Sequence, residues 1–271
     1  FMLEANNSAG DITEARLFFS PTGSSVRSSE PIRFDAAPSV SLSHEWIMQQ
    51  NGVPPGAEIG YFWRLTDSAG NEYETPEQRI VALDPRFEWQ TVEDEELAVY
   101  WYDGGADWGQ EIFETGKQAL AQLEEELGTP IEQQVRVAVY GSSEAFRDAF
   151  PPQQEWIGGA AFPDIGVTVQ IIDAGDRAWM KVVMSHELSH LVFAQVMEGA
   201  LANSPAWLDE GLAMYNEPDG ADELRGRESA DNVRAAADAN SLLRFSQLQG
   251  NFGADSQVVG LAYAQSEMLV T

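Results

Sequence analysis

The stretch Trp179-Met180-Lys181-Val182-Val183-Met184-Ser185-His186-Glu187-Leu188-Ser189-His190-Leu191-Val192-Phe193 decides how the second half of this chain is read. Its apolar residues are nearly continuous, which predicts a long helix buried around most of its circumference. His186 and His190 are four residues apart, so an α-helix sets both imidazoles on one face, one turn apart. Two ring nitrogens can then reach a single ion. Glu187 follows the first histidine and stands beside that ion, close enough to hold and deprotonate a water but not placed to ligate. The chain has three histidines in all, and two of them form this pair. The third, His44, reads as a lone surface residue without a role.

Catalytic zinc takes three protein ligands and keeps one position open. A third histidine six residues beyond His190 would be one solution, but Val196 occupies that position and Phe193 stands where that arrangement needs glycine. A glutamate on a following helix is the other common solution. The segment Ser204-Pro205-Ala206-Trp207-Leu208-Asp209-Glu210-Gly211-Leu212-Ala213-Met214-Tyr215-Asn216-Glu217 supplies one. Ser204 is expected as its N-cap and Pro205 as its first helical residue. Glu210 then falls on the second turn. Nineteen residues separate it from His190, enough to finish the first helix, turn near Gly199 and bring a second helix alongside. Asp209 and Glu217 are rival ligands, although helical phase turns Asp209 about 100° away from Glu210.

Composition bounds the alternatives. The 271 residues are 44% hydrophobic and 10% aromatic, enough for a packed core in one large domain or two ordinary ones. The 44 acidic residues against 15 basic ones give a net charge of −29. Such a surface repels phosphate backbones and anionic lipid, so nucleic acid and membrane surfaces are poor partners. A saline or extracellular setting, or solubility alone, would each produce this balance. There is no cysteine, so a metal must be held by His, Asp or Glu. No apolar run approaches the ~18 residues of a spanning helix. The chain opens on Phe1-Met2-Leu3 and stops inside a helical pattern at Leu269-Val270-Thr271, which reads as a fragment of an extracellular or cell-surface protein.

The fold class expected is multidomain. Residues 1–83 read as an all-β sandwich of the immunoglobulin or fibronectin type, with strands over Ile12–Phe19, Glu58–Thr66 and Gln78–Leu83 and a strong turn at Asp67-Ser68-Ala69-Gly70-Asn71. Asp84-Pro85 is the expected boundary. Residues 84–271 read as an α+β domain with a mostly helical C-terminal half. A hairpin is expected over Phe87–Gln90 and Leu97–Tyr102, and a helix over Trp108–Leu127 with Gly128 as its stop. Val135–Tyr140 and Val167–Ile172 read as strands, and Ser143–Phe150 as a short helix closed by Pro151-Pro152. From Ala178 onward nearly everything reads as helix.

His-Glu-x-x-His followed by Trp-Leu-x-Glu-Gly-Leu-Ala-x-Tyr-x-Glu resembles the gluzincins, zinc peptidases whose third ligand is a glutamate. The likeness is to the peptidase-MA-like domain and, more distantly, the aminopeptidase N family, and it spans roughly residues 85–271. It implies a zincin-like metallopeptidase with one zinc per chain, ligands His186, His190 and Glu210, and Glu187 as general base. Ala262-Tyr263-Ala264-Gln265-Ser266-Glu267-Met268-Leu269-Val270 is similar to the helix whose tyrosine stabilises the tetrahedral intermediate, which would make Tyr263 catalytic. Relatives in the aminopeptidase branch carry a glutamate that holds the substrate's free amine, in a strand matching Gly158-Gly159-Ala160-Ala161-Phe162-Pro163. This chain has none there, which points to cutting within peptide or protein substrates. The thermolysin pattern has an aspartate four residues beyond the zinc glutamate, where this chain has Met214. Gly158, Gly159 and Ala160 are the expected substrate-binding residues, at a strand edge along which a peptide could lie. A catalytically inactive binding scaffold, or a zinc hydrolase for another bond such as an ester or epoxide, would carry the same motif without peptidase activity.

Overall fold

The computed structural model describes residues 1–47, 52–128, 130–150, 158–197, 204–224, 229–250, 252 and 256–271. The chain divides into two compact units, Phe1–Asp84 and Pro85–Thr271.

The first unit is built of antiparallel strands. Strand β2 (Ile12–Pro21) pairs with β3 (Ser28–Ile32) and β5 (Glu58–Asp67), and β5 carries β6 (Glu72–Glu74) and β7 (Gln78–Val81) along its other edge. A second, two-stranded sheet joins β1 (Met2–Asn6) to β4 (Ser39–Ser43). The period-2 pattern places Ile59, Tyr61, Trp63 and Leu65 of β5 in the core, beside Leu17 and Phe19 of β2. The ring of Phe1 packs across from the smaller sheet, 4.8 Å from the ring of Tyr61 and 5.7 Å from that of Phe19. The turn from β5 to β6 closes on Asp67, whose carboxylate accepts from the backbone N–H groups of Ala69 and Asn71, both at 2.9 Å.

The second unit is a mixed sheet with helices. Its strand order is β11 (Gly159–Phe162), β12 (Val167–Ile171), β10 (Val135–Tyr140), β9 (Leu97–Trp101), β8 (Gln90–Glu93). The three middle strands are parallel and the two edge strands run against them. Strand β10, Val-Arg-Val-Ala-Val-Tyr, is buried throughout, as a central parallel strand covered on both faces should be. Helix α1 (Ala106–Leu127) makes the crossover from β9 to β10, begins one turn's fraction earlier than its apolar spacing indicates, and ends on Gly128 at φ 66°. The short α2 (Ser143–Ala149) is capped by the hydroxyl of Ser142; Pro151 and Pro152 lie outside the described residues. Helix α3 (Arg177–Val196) is capped by Asp176 and packs with α1 on one face of the sheet. Met180, Val183, Met184, Leu188 and Leu191 of α3 share a buried cluster with Ile112 and Leu120 of α1 and Val137 and Val139 of β10. Burying side chains of this size contributes about 1.5–3 kcal/mol each before ordering costs.

After α3 come α4 (Ala206–Tyr215), α5 (Ala221–Leu224), α6 (Ser229–Asp238) and α7 (Ser256–Val270). The expected turn near Gly199 lies outside the described residues. Two of the differences from the sequence reading have a clear physical cause. Strand β8 begins at Gln90 rather than Phe87, because the turn before β9 closes on the Asp94 carboxylate, which accepts from Glu96 and Leu97 N–H. Phe87 instead stacks on Tyr102 at 3.9 Å. The cap of α4 also shifts. Pro205, not Ser204, is the N-cap, with an extended ψ of 144°. The first free N–H groups of the helix are satisfied by backbone carbonyls from far along the chain, Ala206 by Gln249 at 3.2 Å and Trp207 by Leu248 at 2.9 Å, so no side-chain cap is required. The segment that supplies them is gripped by Gln265 of α7, whose amide accepts from Leu243 N–H at 2.8 Å and donates to Leu243 C=O at 3.3 Å.

Helices α4 and α7 meet at backbone distance. A Cβ added at Gly211 would lie 2.6 Å from the carbonyl oxygen of Ser266. Elsewhere in a helix, Gly→Ala gains about 1 kcal/mol. Here a main-chain oxygen cannot rotate aside, and overpacking of this kind costs about 1–3 kcal/mol. Gly211→Ala is therefore expected to lower the unfolding midpoint in denaturant; a midpoint at or above that of the parent would refute this contact.

Candidate metal centre

Helices α3 and α4 face each other through polar side chains that share one buried pocket. His186 is 6% exposed and His190 9%. Their Nε2 atoms are 3.3 Å apart. The Glu210 Oε2 atom from α4 is 3.5 Å from the first and 3.6 Å from the second. These three atoms form a nearly equilateral triangle. Ligands about 2.1 Å from one tetrahedral zinc lie about 3.4 Å from each other, so the donor set fits that ion. Oε2 of Glu210 is buried without a hydrogen-bond partner, an orphan of the kind a cation satisfies. Among the described residues, His186, His190 and Glu210 are the cluster with metal-binding spacing.

The outer nitrogens of both imidazoles face carboxylates. Nδ1 of His186 is 2.7 Å from Oε1 of Glu217, a hydrogen bond between two buried groups. Nδ1 of His190 is 3.2 Å from Oδ2 of Asp209, within ion-pair range but outside hydrogen-bond geometry. The two rivals to Glu210 thus stand behind the histidines, not among the three converging atoms. A carboxylate behind a ligating histidine fixes its tautomer and ring orientation. Just past α4, Asn216 adds a further tie to α3, donating to the hydroxyl of Ser189 at 3.0 Å.

Burial disfavours a charged His186, but the Glu210 and Glu217 carboxylates beside it outweigh this and raise its pKa. His190 is equally buried, yet Asp209 and Glu210 push its pKa up to about 10. Burial would raise the Glu210 carboxyl, but His186 and His190 bring it down to about 2. The surrounding carboxylates thus favour protons on both imidazoles. A metal ion must displace them, because imidazole ligates only when neutral.

The remaining candidates fall around this centre. Glu187 is 6% exposed, and its Oε1 lies 2.9 Å from where a Cβ of Gly159 would be. Only a glycine there lets the sheet's edge strand reach the carboxylate. A Cβ on Gly158 would meet the Trp179 ring at 2.9 Å and Val183 at 3.1 Å. Gly159 and Ala160 belong to β11, which pairs with β12 on one side and with no strand on the other among the described residues. Ala160 is 2% exposed, so the strand offers its backbone edge there and not that side chain. Tyr263, on α7, helps hold the Glu210 carboxyl pKa down, and its ring meets Phe252 edge-on at 5.3 Å. His44 is half-buried, not a lone surface group. It stacks on Phe1 at 6.4 Å because the strand pair β1 and β4 brings the two residues together.

The carboxylates behind the histidines were legible only as rival ligands. Glu217 lies just past the C-cap of α4 at Asn216, and its place against His186 is set by how the chain leaves the helix. The carbonyl caps from Leu248 and Gln249 have no local signal.

A family model described as the peptidase MA superfamily matches residues 115–271. No curated protein matches the chain. Among solved structures, a polysaccharide deacetylase from Bacillus cereus aligns at 10% identity with a TM-score of 0.21, over 56% of this chain and 57% of that one. This chain thus spans little more than half of that protein, and the fit is too loose to carry an argument about fold or activity.

Two outcomes test the centre. Calorimetric titration of the metal-free protein with zinc, in buffers of different ionisation enthalpy, should saturate near one equivalent and report proton release; identical heats in all buffers would contradict the proton-loaded pocket. Glu217→Ala should weaken zinc binding by about 10–100-fold, the range for loss of a carboxylate behind a ligating histidine, while Glu217→Gln, which keeps an acceptor, should lose less.

Proposed function

Because the chain belongs to the peptidase MA superfamily, we propose that it is a zinc-dependent peptidase of the gluzincin type, with a zincin-like catalytic domain over residues 84–271. The reading rests on one observation above the others: two imidazole nitrogens and one glutamate oxygen at 3.3–3.6 Å from each other, all from adjacent helices. Residues His186, His190 and Glu210 would hold the ion. Zinc, when bound there, supplies Lewis acidity that makes a water acidic near neutral pH and polarises a carbonyl.

The chain's own residues perform the remainder. Glu187 takes the proton of the attacking water as it adds to the peptide carbonyl, then delivers it to the departing nitrogen. Its position against Gly159 supports this, because the base then borders the edge strand on which a substrate backbone would lie. A peptide pairing with the free edge of β11 near Gly158, Gly159 and Ala160 would be held in extended form, its scissile carbonyl held near the base. Tyr263, beside Glu210, would turn its hydroxyl to the oxyanion as charge develops. The segment Gly158–Pro163 carries no carboxylate for a substrate amine, which favours cleavage within chains over removal of N-terminal residues. The first unit, residues 1–83, would be an immunoglobulin-like module preceding the catalytic one, in an extracellular or cell-surface protein.

Glu187→Gln decides the central step. The variant should keep its zinc and lose peptide hydrolysis by about 10²–10⁴-fold in kcat. Digestion of an unbiased peptide library by the parent should yield internal cuts. A parent that binds zinc yet cleaves no peptide, or a variant that cleaves as fast as the parent, would overturn the assignment.

A further inference from the structure

The first unit has an opening in its core that the metal centre does not explain. Its larger sheet ends at β6, whose residues are all exposed. Tyr73 of β6 is the cross-strand partner of Leu65 on β5, and partners of this kind share one face of a sheet. Leu65 is in the core at 7% exposure, while Tyr73 on the same face is 64% exposed. The inward face of the larger sheet is therefore uncovered where it reaches β6. The smaller sheet stops short of it, because β1 pairs with β4 and with no other strand among the described residues. Between β1 and the end of β5 with β6 lies a groove of about 480 Å3, floored by Leu3, Leu65 and Tyr73.

Two strand edges thus border one groove. A strand laid beside β1 would extend the smaller sheet from two strands to three, pair with backbone groups that β4 leaves unused, and cover Tyr73. The walls also select for charge. Glu4, Asp67 and Glu72 line the groove, and no lysine or arginine does among the described residues. We propose that this groove accepts an extended peptide segment of another protein, carrying lysine or arginine at alternate positions, as an added strand beside β1. Apolar side chains on one face of that segment would enter the groove over Leu3 and Leu65. Basic side chains on the other would meet the acidic rim. The site lies wholly on the first unit and does not rest on the peptidase reading.

The test uses the full chain bearing Glu187→Gln, so that no probe is cut. The probe is a fluorescein-labelled, end-blocked heptapeptide alternating valine and lysine, read by anisotropy, with a valine–glutamate peptide as control. The lysine peptide should bind, more weakly as salt is raised, and the glutamate peptide should not. Glu72→Lys with Tyr73→Ser changes two exposed side chains and should weaken binding by about tenfold or more, the loss of one aromatic contact across the groove and one ion pair. Glu4→Lys, on the opposite wall, should weaken it independently. The proposal is overturned if neither peptide binds, if both bind alike, or if the variants bind as the parent does, which would place the peptide elsewhere. It is equally overturned if the chain dimerises through this groove and the same variants abolish the dimer, because the occupant would then be a second copy.

Discussion

Two imidazoles on one face of α3 are enclosed by Glu187 from the same helix, Asp209 and Glu210 from α4, and Glu217 just beyond it, and all but Asp209 and Glu210 are almost wholly withdrawn from water. Taking carboxylates out of solvent costs several kcal/mol each unless a positive charge goes with them. Among the described residues, the basic groups shown against these carboxylates are the two imidazoles. The positive charge comes from protons on the imidazoles or from a cation among them, and the protein's other features hold the pocket in shape around that requirement. The upward shift of both histidines and the downward shift of Glu210 are the same imbalance seen from its two sides.

The geometry is enforced by close backbone approaches more than by side-chain packing alone. Gly159 lets the edge strand touch the Glu187 carboxylate, and Gly211 lets α4 lie against the main chain of α7. The first contact sets the distance from the Glu187 carboxylate to the strand edge. The second puts Tyr263 next to Glu210. Ser189 and Asn216 join α3 to the end of α4, while Glu210 joins its middle to both histidines. Helix α4 is therefore fixed at both ends of its contact with α3, so that a shift of either helix would disturb ligand and orienting carboxylate together.

How much of this could be read beforehand follows from the range of each interaction. The histidine pair, the neighbouring glutamate and the position of Glu210 on a second helix depend on helical period, which is local and periodic. The limits of β10 and the stop at Gly128 are local in the same sense. The start of β8 was misjudged because aromatic Phe87 suits a strand, whereas Asp94 and the pairing with β9 set the register. The cap of α4 was misjudged because its partners, Leu248 and Gln249, come from some forty residues downstream. A local rule expects a serine there, and the fold supplies carbonyls. The roles of Asp209 and Glu217 needed the distance to each imidazole's far nitrogen, which spacing alone does not give.

Those downstream carbonyls tie the centre to the end of the chain. The amide of Gln265 holds Leu243 by both backbone groups, and the following residues reach back to complete the first turn of α4, which carries Glu210 one turn on. Were an ion held among these groups, its release would depend on a contact remote from the ion itself. Loosening of α7 would free the N-terminus of α4 and Glu210 with it, while His186 and His190 stay on a helix seated in the core. The ion would escape by a hinge opening on one side, at a rate that reports the docking of α7 and not the strength of any metal–ligand bond.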